Sequence, residues 1–487
     1  MKTYISLLLI LFMSSCSPDL DLSSKSNVTV GTYYKTEADA KAAVVSMYSM
    51  LRSMYRDEVL VTPTTVAADD GIPFLTGNAD RLALWNYNWV PTNTFTGNIW
   101  ANAYMGIQRS NIILNRIPGI SMDETTKKGY LGEARFLRAM HYFTLVQCFG
   151  GVPLVLDETT SLANATIARA SVEDVYQQIE TDLKEAESSL PVQYTGSDIG
   201  KATQGAAKGL LAKVYLTWAG TTTSSPYWAL AAAKAKEVID SGTYALWDNY
   251  ADVFTLANRC GKESLFEVLY ITDLAGNNFT TGYAPRSAPI VPGSGSGIFR
   301  VSPSLYASYS TTDTRKSVSF LSSFVNPTTQ ETVTLSVTDS DPTKAISFWK
   351  LADLTSTVGG AGGKSFPILR YSDILLIYAE ALNEANNGPN TEAYAAVNQV
   401  RERAGLESLT GLNYQSFKEA VWLERRLEFC FEGQRWFDLV RTGRLLSAVK
   451  AETSFGRASA IQAYHVHMPI PQREIDANTA LVQNEGY

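Results

Sequence analysis

The stretch Ser171-Val172-Glu173-Asp174 is a helix-opening box. A hydroxyl and a carboxylate three residues apart satisfy each other's free backbone N–H groups. Behind it Val172, Val175, Ile179, Leu183, Ala186 and Leu190 recur at three- and four-residue steps, on one helical face that Pro191 ends. Such a stripe has to be buried against a second helix. The pattern returns along the chain. Residues 203–218 carry Ala207, Leu211, Val214 and Trp218 on one side and stop at Gly220, and the alanine-dense 227–240 stops at Gly242. Ser372 opens "DILLIYAEALNEAN", which Gly388-Pro389 terminates. Ala393, Val397, Val400 and Ala404 line the next helix, and Ser416 with Glu419 opens "AVWLERRLEFCFE", up to Gly433. Earlier, 38–51 and 100–117 form a further pair, and 127–149, stopped by Gly150-Gly151, supplies the partner of the helix after Ser171.

Helix pairs of this length, with alanine at the crossings, predict a mainly α chain built as a tetratricopeptide-like helical-repeat scaffold. The repeats fill about 31–260 and 366–487. Between them, 261–365 changes texture. "SLFEVLYI" reads as a strand, Val333, Leu335 and Val337 alternate with polar residues, and "PIVPGSGSGIF" and "VGGAGGKSF" read as loops. This stretch is expected to be an irregular loop/β insertion on one face of the scaffold. The whole of 31–487 is expected to form one domain. A net charge of −7, with no basic run, argues against a nucleic-acid partner. Of the four cysteines, Cys16, Cys148, Cys260 and Cys430, none sits in a CxxC, so neither a disulfide framework nor a zinc signature is present.

The chain begins with Lys2, a short apolar run to Met13, and Ser14-Ser15. The run is too short to cross a membrane and reads as an export signal over 1–15. Met13-Ser14-Ser15-Cys16 resembles a lipobox, which makes Cys16 the expected lipid anchor and 16–30 a tether. Two or more acyl chains hold a protein stably on a membrane. The acidic Asp19 and Asp21 resemble the tag that sends some lipoproteins to the cell exterior.

Charge is densest in "ERRLEFCFEGQRWFDLVR". Glu424, Glu428 and Glu432 step by four, with Arg425, Arg426, Arg435, Asp438 and Arg441 beside them. Acid–base catalysis needs carboxylates free to exchange protons. These have nearly equal arginine at hand, so ion pairs locking helices together are the reading, and no catalytic residue is assigned. His465 and His467 have the spacing of a two-ligand metal edge on a strand, but packing beside Pro469 and Pro471 is the expectation, with no metal or cofactor. The ligand-binding candidate is "AADDGIPFLTGNADRLALWNYNWVPTNTFTGNIW". Sugars offer an apolar face to flat rings and a rim of hydroxyls to polar groups. Trp85 and Trp89, sharing a side if extended, would stack on sugar rings, and Asp69, Asp70 and Arg81 would bond hydroxyls. Tyr283, Arg286 and Phe299 in the insertion form a second set.

"RYSDILLIYAEALNEA" from Arg370, "LERRLEFCFEGQRWFDLVRTG" from Leu423 and the closing "MPIPQREIDANTALVQNEGY" resemble the C-terminal hallmarks of the SusD/RagB family of outer-membrane glycan-capture lipoproteins. "IWANAYMGIQRSNIIL" and "GEARFLRAMHYFTLVQCFGGVPLV" resemble its N-terminal ones. The resemblance implies a lid on a TonB-dependent transporter barrel, and capture of oligosaccharide without cleavage. It implies that Asp69, Asp70 and Trp85 lie where site residues fall in that family, with Arg370 near that face. A surface glycoside hydrolase and a structural lid with no ligand of its own are the alternatives.

Overall fold

The computed structural model describes residues 34–56, 59–74, 77–161, 166–457 and 460–487; the signal, Cys16 and the tether lie outside them. Nine longer helices carry the fold among the described residues: Glu37–Tyr55, Thr94–Arg116, Glu124–Phe149, Val172–Ser189, Gln204–Ala219, Tyr227–Asp240, Tyr371–Ala385, Thr391–Arg403 and Tyr414–Glu428. From the second to the seventh, each packs on the next in that order. Glu37–Tyr55 lies on Thr94–Arg116, and Tyr371–Ala385 also receives the last two helices. The Ser171 box forms as read, with Ser171 Oγ accepting from the Asp174 amide at 3.0 Å.

Two starts differ from the sequence reading. Ser372 is not a cap: the strand Phe366–Arg370 runs straight into the helix, and Ser372 sits in its first turn, accepting from Arg370 at 2.7 Å. Ser416 is the inner half of a box that Asn413 opens, so that helix starts one turn earlier, at Tyr414. It also ends at Glu428, and Glu432 follows in a turn through Phe431, whose φ is +62°.

Close helix crossings rest on small residues. Gly106 faces the buried His141, and a Cβ there would lie 2.1 Å from His141 Nε2. Gly106→Ala is expected to destabilise the protein by about 1–3 kcal/mol, the usual cost of overpacking. That exceeds the helix-propensity gain of alanine over glycine, about 1 kcal/mol. An unchanged urea midpoint would contradict it.

Strands among the described residues pair as two-stranded antiparallel ribbons. Ser264–Val268 pairs with Phe366–Arg370 and so closes the neck of the intervening segment. Within that segment, Thr332–Thr334 pairs with Ser323–Val325. Leu335 lies just past the ribbon and is buried. Gly71–Pro73 pairs with Phe299–Val301, which ties the segment back to the N-terminal helices. Phe279, Tyr283, Phe299, Phe348 and Phe431 form one aromatic core beneath this ribbon. Cys148 and Cys430 are buried free thiols and Cys260 is half-buried; burial pushes the Cys430 thiol up to about 12.

Candidate functional site

The acidic and basic residues of 424–441 are locked to one another and to distant segments. Glu428 accepts from Arg370 at 2.8 Å, Arg403 at 2.6 Å and Arg315 at 3.1 Å. Arg370 also reaches Glu432 and Glu263, and Glu432 takes Lys350 at 2.6 Å. Arg425 pairs with Asp373 and Asp438, and Arg441 with Glu380 and Asp438. Burial alone would raise the pKa of Glu428, but Arg403, Arg370 and Arg315 outweigh it and hold the carboxyl well below its usual range. A carboxylate held that way has no proton to give at neutral pH, so ion pairing is what this cluster does.

Most of the residues read as sugar contacts belong to the same interior. Arg370 is buried in the network just described and presents no group to a surface. Asp69 binds Arg435 through both oxygens, at 2.7 and 2.8 Å, and Asp70 binds Arg426 at 2.8 Å. Asp69 is driven up by burial but more strongly down by Arg435 and Arg426, whereas burial raises Asp70. The two acids share Arg426, and the second carries the cost of the first. Their place at the ends of these ion pairs corrects the reading of both as hydroxyl partners.

The aromatic alternation is corrected too. Ala79–Asn86 is a helix, not an extended strand, and Tyr87 ends it in the left-handed conformation, with φ +58°. Trp85, Tyr87 and Trp89 are all buried. Tyr87 stacks on Trp89 at 4.8 Å, and His465 meets both rings edge-on. His465 lies in a 3-10 turn, not a strand, and burial lowers it to about 4, so it packs as a neutral ring. No group of three or more metal-ligating side chains occurs among the described residues. Tyr283 is buried in the aromatic core, its hydroxyl 2.7 Å from Thr62.

Arg81, which is buried, and Arg286, which is half-buried, both lie near the Gly71–Pro73/Phe299–Val301 ribbon. Strand side chains alternate between faces. Phe299 enters the aromatic core, and Arg300 turns to the other face, paired across the ribbon with Ile72. Its guanidinium lies 4.3 Å from the Phe74 ring centre and 3.7 Å from that of Phe455. Arg286 approaches the same Phe74 ring, at 5.7 Å, and is half-buried. Arg81 Nη1 reaches the Ile298 carbonyl at 3.5 Å, its helix capped by Asn78.

The glycine-rich loop makes this approach possible. Gly297 has φ +56°, and a Cβ there would stand 3.0 Å from Arg286 N and Cβ. Ser287 donates to Gly295 and Gly297 donates to Ala284, so the loop is folded back on itself by backbone bonds. Phe455 is itself left-handed, at φ 58° and ψ 28°, a conformation a bulky residue adopts only under constraint. Arg300, Phe74 and Phe455 escaped the sequence reading. Their signal is an arginine in a strand of otherwise core-facing residues, and only its neighbours in space give it meaning.

Two family models match the chain. One, described as the SusD family, covers residues 334–487, and the other, described as starch-binding and associating with the outer membrane, covers 20–216. The "SusD-like protein P25" of Formosa agariphila is 26% identical over 97% of each chain. This chain belongs to the SusD/RagB family. Among solved structures, a laminarin-binding SusD-like protein is 29% identical with a TM-score of 0.80, covering 93% of this chain and 100% of that one. A SusD homologue from Bacteroides thetaiotaomicron is 27% identical with a TM-score of 0.84, covering 95% and 99%. The mainly helical, tetratricopeptide-like scaffold is therefore the family's fold. No helix among the described residues is long and apolar enough to cross a membrane.

Proposed function

We propose that this SusD-family chain captures oligosaccharide at the face where Phe74, Arg81, Arg286, Arg300 and Phe455 meet, and does not cleave it. The chain is anchored by Cys16 at the outer surface of the outer membrane and passes its cargo to a TonB-dependent barrel. The observation that carries this reading is the match along nearly the whole chain to a solved relative named for binding laminarin. The family description as starch-binding and outer-membrane-associated supports it. The local chemistry agrees. Guanidinium donors lie against two aromatic rings, Phe74 buried and Phe455 half-buried, which suits a molecule with an apolar face and a hydroxyl rim. The buried carboxylates of 424–441 are matched by arginines, which leaves no poised acid–base pair there for hydrolysis.

The test is calorimetry against a panel of plant, algal and microbial glycans, followed by an assay for new reducing ends. Binding to at least one glycan without release of reducing ends is expected. Phe455→Ala should weaken that binding by about 1 kcal/mol, the worth of one aromatic face. Release of reducing ends would favour a hydrolase. Silence across the panel, with the barrel still retrieved in a pull-down, would favour a structural lid.

A further inference from the structure

The arginines of this face are unlike those of the interior. Arg315, Arg370 and Arg425 are buried and each is held by two or more carboxylates. Arg300 is just as buried, at 4% exposure, yet has no ion pair among the described residues. Its one hydrogen bond to protein is from Nη1 to the Asp339 carbonyl, at 2.7 Å, and its Nε is buried with no partner among those residues. The Asp339 carboxylate is occupied elsewhere, accepting from the Asp341 amide at 2.9 Å. Arg286 likewise has no carboxylate among the described residues; its Nε has only the Ser296 carbonyl, at 3.4 Å.

Burial lowers the Arg300 pKa to about 10, and Asp339 offsets only part of that. Two guanidiniums therefore meet on one phenyl ring with no ion pair among the described residues, Asp339 acting on Arg300 only from beyond contact, in a protein whose net charge is −7. A neutral sugar could accept their hydrogen bonds but would leave the charge uncompensated. A planar anionic fork would satisfy both, because guanidinium donors match carboxylate and sulfate oxygens two at a time.

We propose that the ligand taken at this face is an acidic glycan, whose carboxylate or sulfate ester is received by Arg300 and Arg286. This rests on the glycan-capture reading and narrows its substrate class. The aromatic rings of Phe74 and Phe455 hold the Arg300 guanidinium in place, and the bend at Gly297 brings Arg286 to the same ring. The anionic group supplies what the chain withholds from these two side chains and gives to its interior arginines.

Three probes separate the possibilities in calorimetry: oligogalacturonate for the carboxylate, a sulfated galactan oligosaccharide for the sulfate, and laminarin oligosaccharide as the neutral control. At least tenfold tighter binding of one acidic probe than of the neutral one is expected, with affinity falling as salt is raised. Preference between the two acidic probes names the group received. Arg286→Ala, at a half-buried position, should lose at least tenfold on the acidic probe and less than threefold on the neutral one, which loses a hydroxyl donor but no ion pair. Arg300→Gln should do the same, and circular dichroism checks that it folds. Laminarin binding that equals or exceeds the acidic probes, or an Arg286→Ala protein with full, salt-independent affinity for them, overturns the proposal and leaves glycan capture standing. Failure of every glycan, charged or neutral, overturns both.

Discussion

Glu428→Gln should unfold at markedly lower urea than the parent, with a loss of about 3–5 kcal/mol, the usual cost of breaking one side of a buried ion pair. Native domains have only about 5–15 kcal/mol in hand, so this is among the most damaging single-atom-scale changes available here. Glutamine keeps the shape of the side chain. What it removes is the charge on which Arg370, Arg403 and Arg315 converge, and it turns an NH₂ donor toward guanidiniums that are themselves donors only. Glu263, Glu432, Asp313 and Glu424 remain for those arginines, so the network is weakened and not abolished. The effect also carries a pH signature. The folded pKa of Glu428 lies below its unfolded value, because the three arginines outweigh burial. Its contribution is therefore fully present above the unfolded value, near pH 4.3, and is lost as the pH falls through the folded one. The gap between parent and variant should narrow below about pH 4. A gap under 1 kcal/mol at pH 7, or one that stays constant into acid, would mean that the network is not what holds these helices.

The helical scaffold was legible because its information is local. Ser171 and Asp174 satisfy each other within four residues, and the apolar stripe behind them needs no knowledge of the rest of the chain. The neck of the insertion was not legible, since Ser264–Val268 finds its partner in Phe366–Arg370, and nothing near either strand announces the other. The charge cluster was half legible. Equal numbers of arginine and carboxylate said that pairing would occur, but not that Asp69 and Asp70 would be drawn into it by Arg435 and Arg426 from the far end of the chain. Two adjacent acids in an aromatic-rich segment read as ligand groups until those partners are known. Trp85, Tyr87 and Trp89 misled for a different reason. A spacing of two implies a shared face only in extended chain, and the left-handed Tyr87 ends a helix in the middle of the series. Arg81 and Arg286 were read from charge alone, and nothing local says that one, on the helix Ala79–Asn86, reaches the Ile298 carbonyl while the other reaches the Phe74 ring. Arg300, Phe74 and Phe455 come from separate segments, and no spacing could have joined them.

Trp85→Ala tests the corrected place of that side chain. The indole is buried near the end of Ala79–Asn86, with the Arg457 guanidinium 5.4 Å from its ring centre. Truncation to alanine opens a cavity in a packed interior, at about 3–5 kcal/mol for a residue of this size. Arg457 bonds the Trp85 carbonyl through Nε and Nη2, at 3.0 and 2.9 Å, and the Ala68 carbonyl through Nη1. Those backbone contacts survive the truncation, while the ring beneath the guanidinium does not. Because Phe455 lies two residues before Arg457, some loosening of the Phe455–Arg300 contact should follow, so glycan affinity falls only as far as that contact is disturbed. A sugar platform would behave in the opposite way: affinity would vanish while the urea midpoint stayed put. Measured side by side with Phe455→Ala, the Trp85 variant is expected to be the less stable of the two and the less impaired in binding per folded molecule. The reverse order would return Trp85 to the surface and move the candidate site with it.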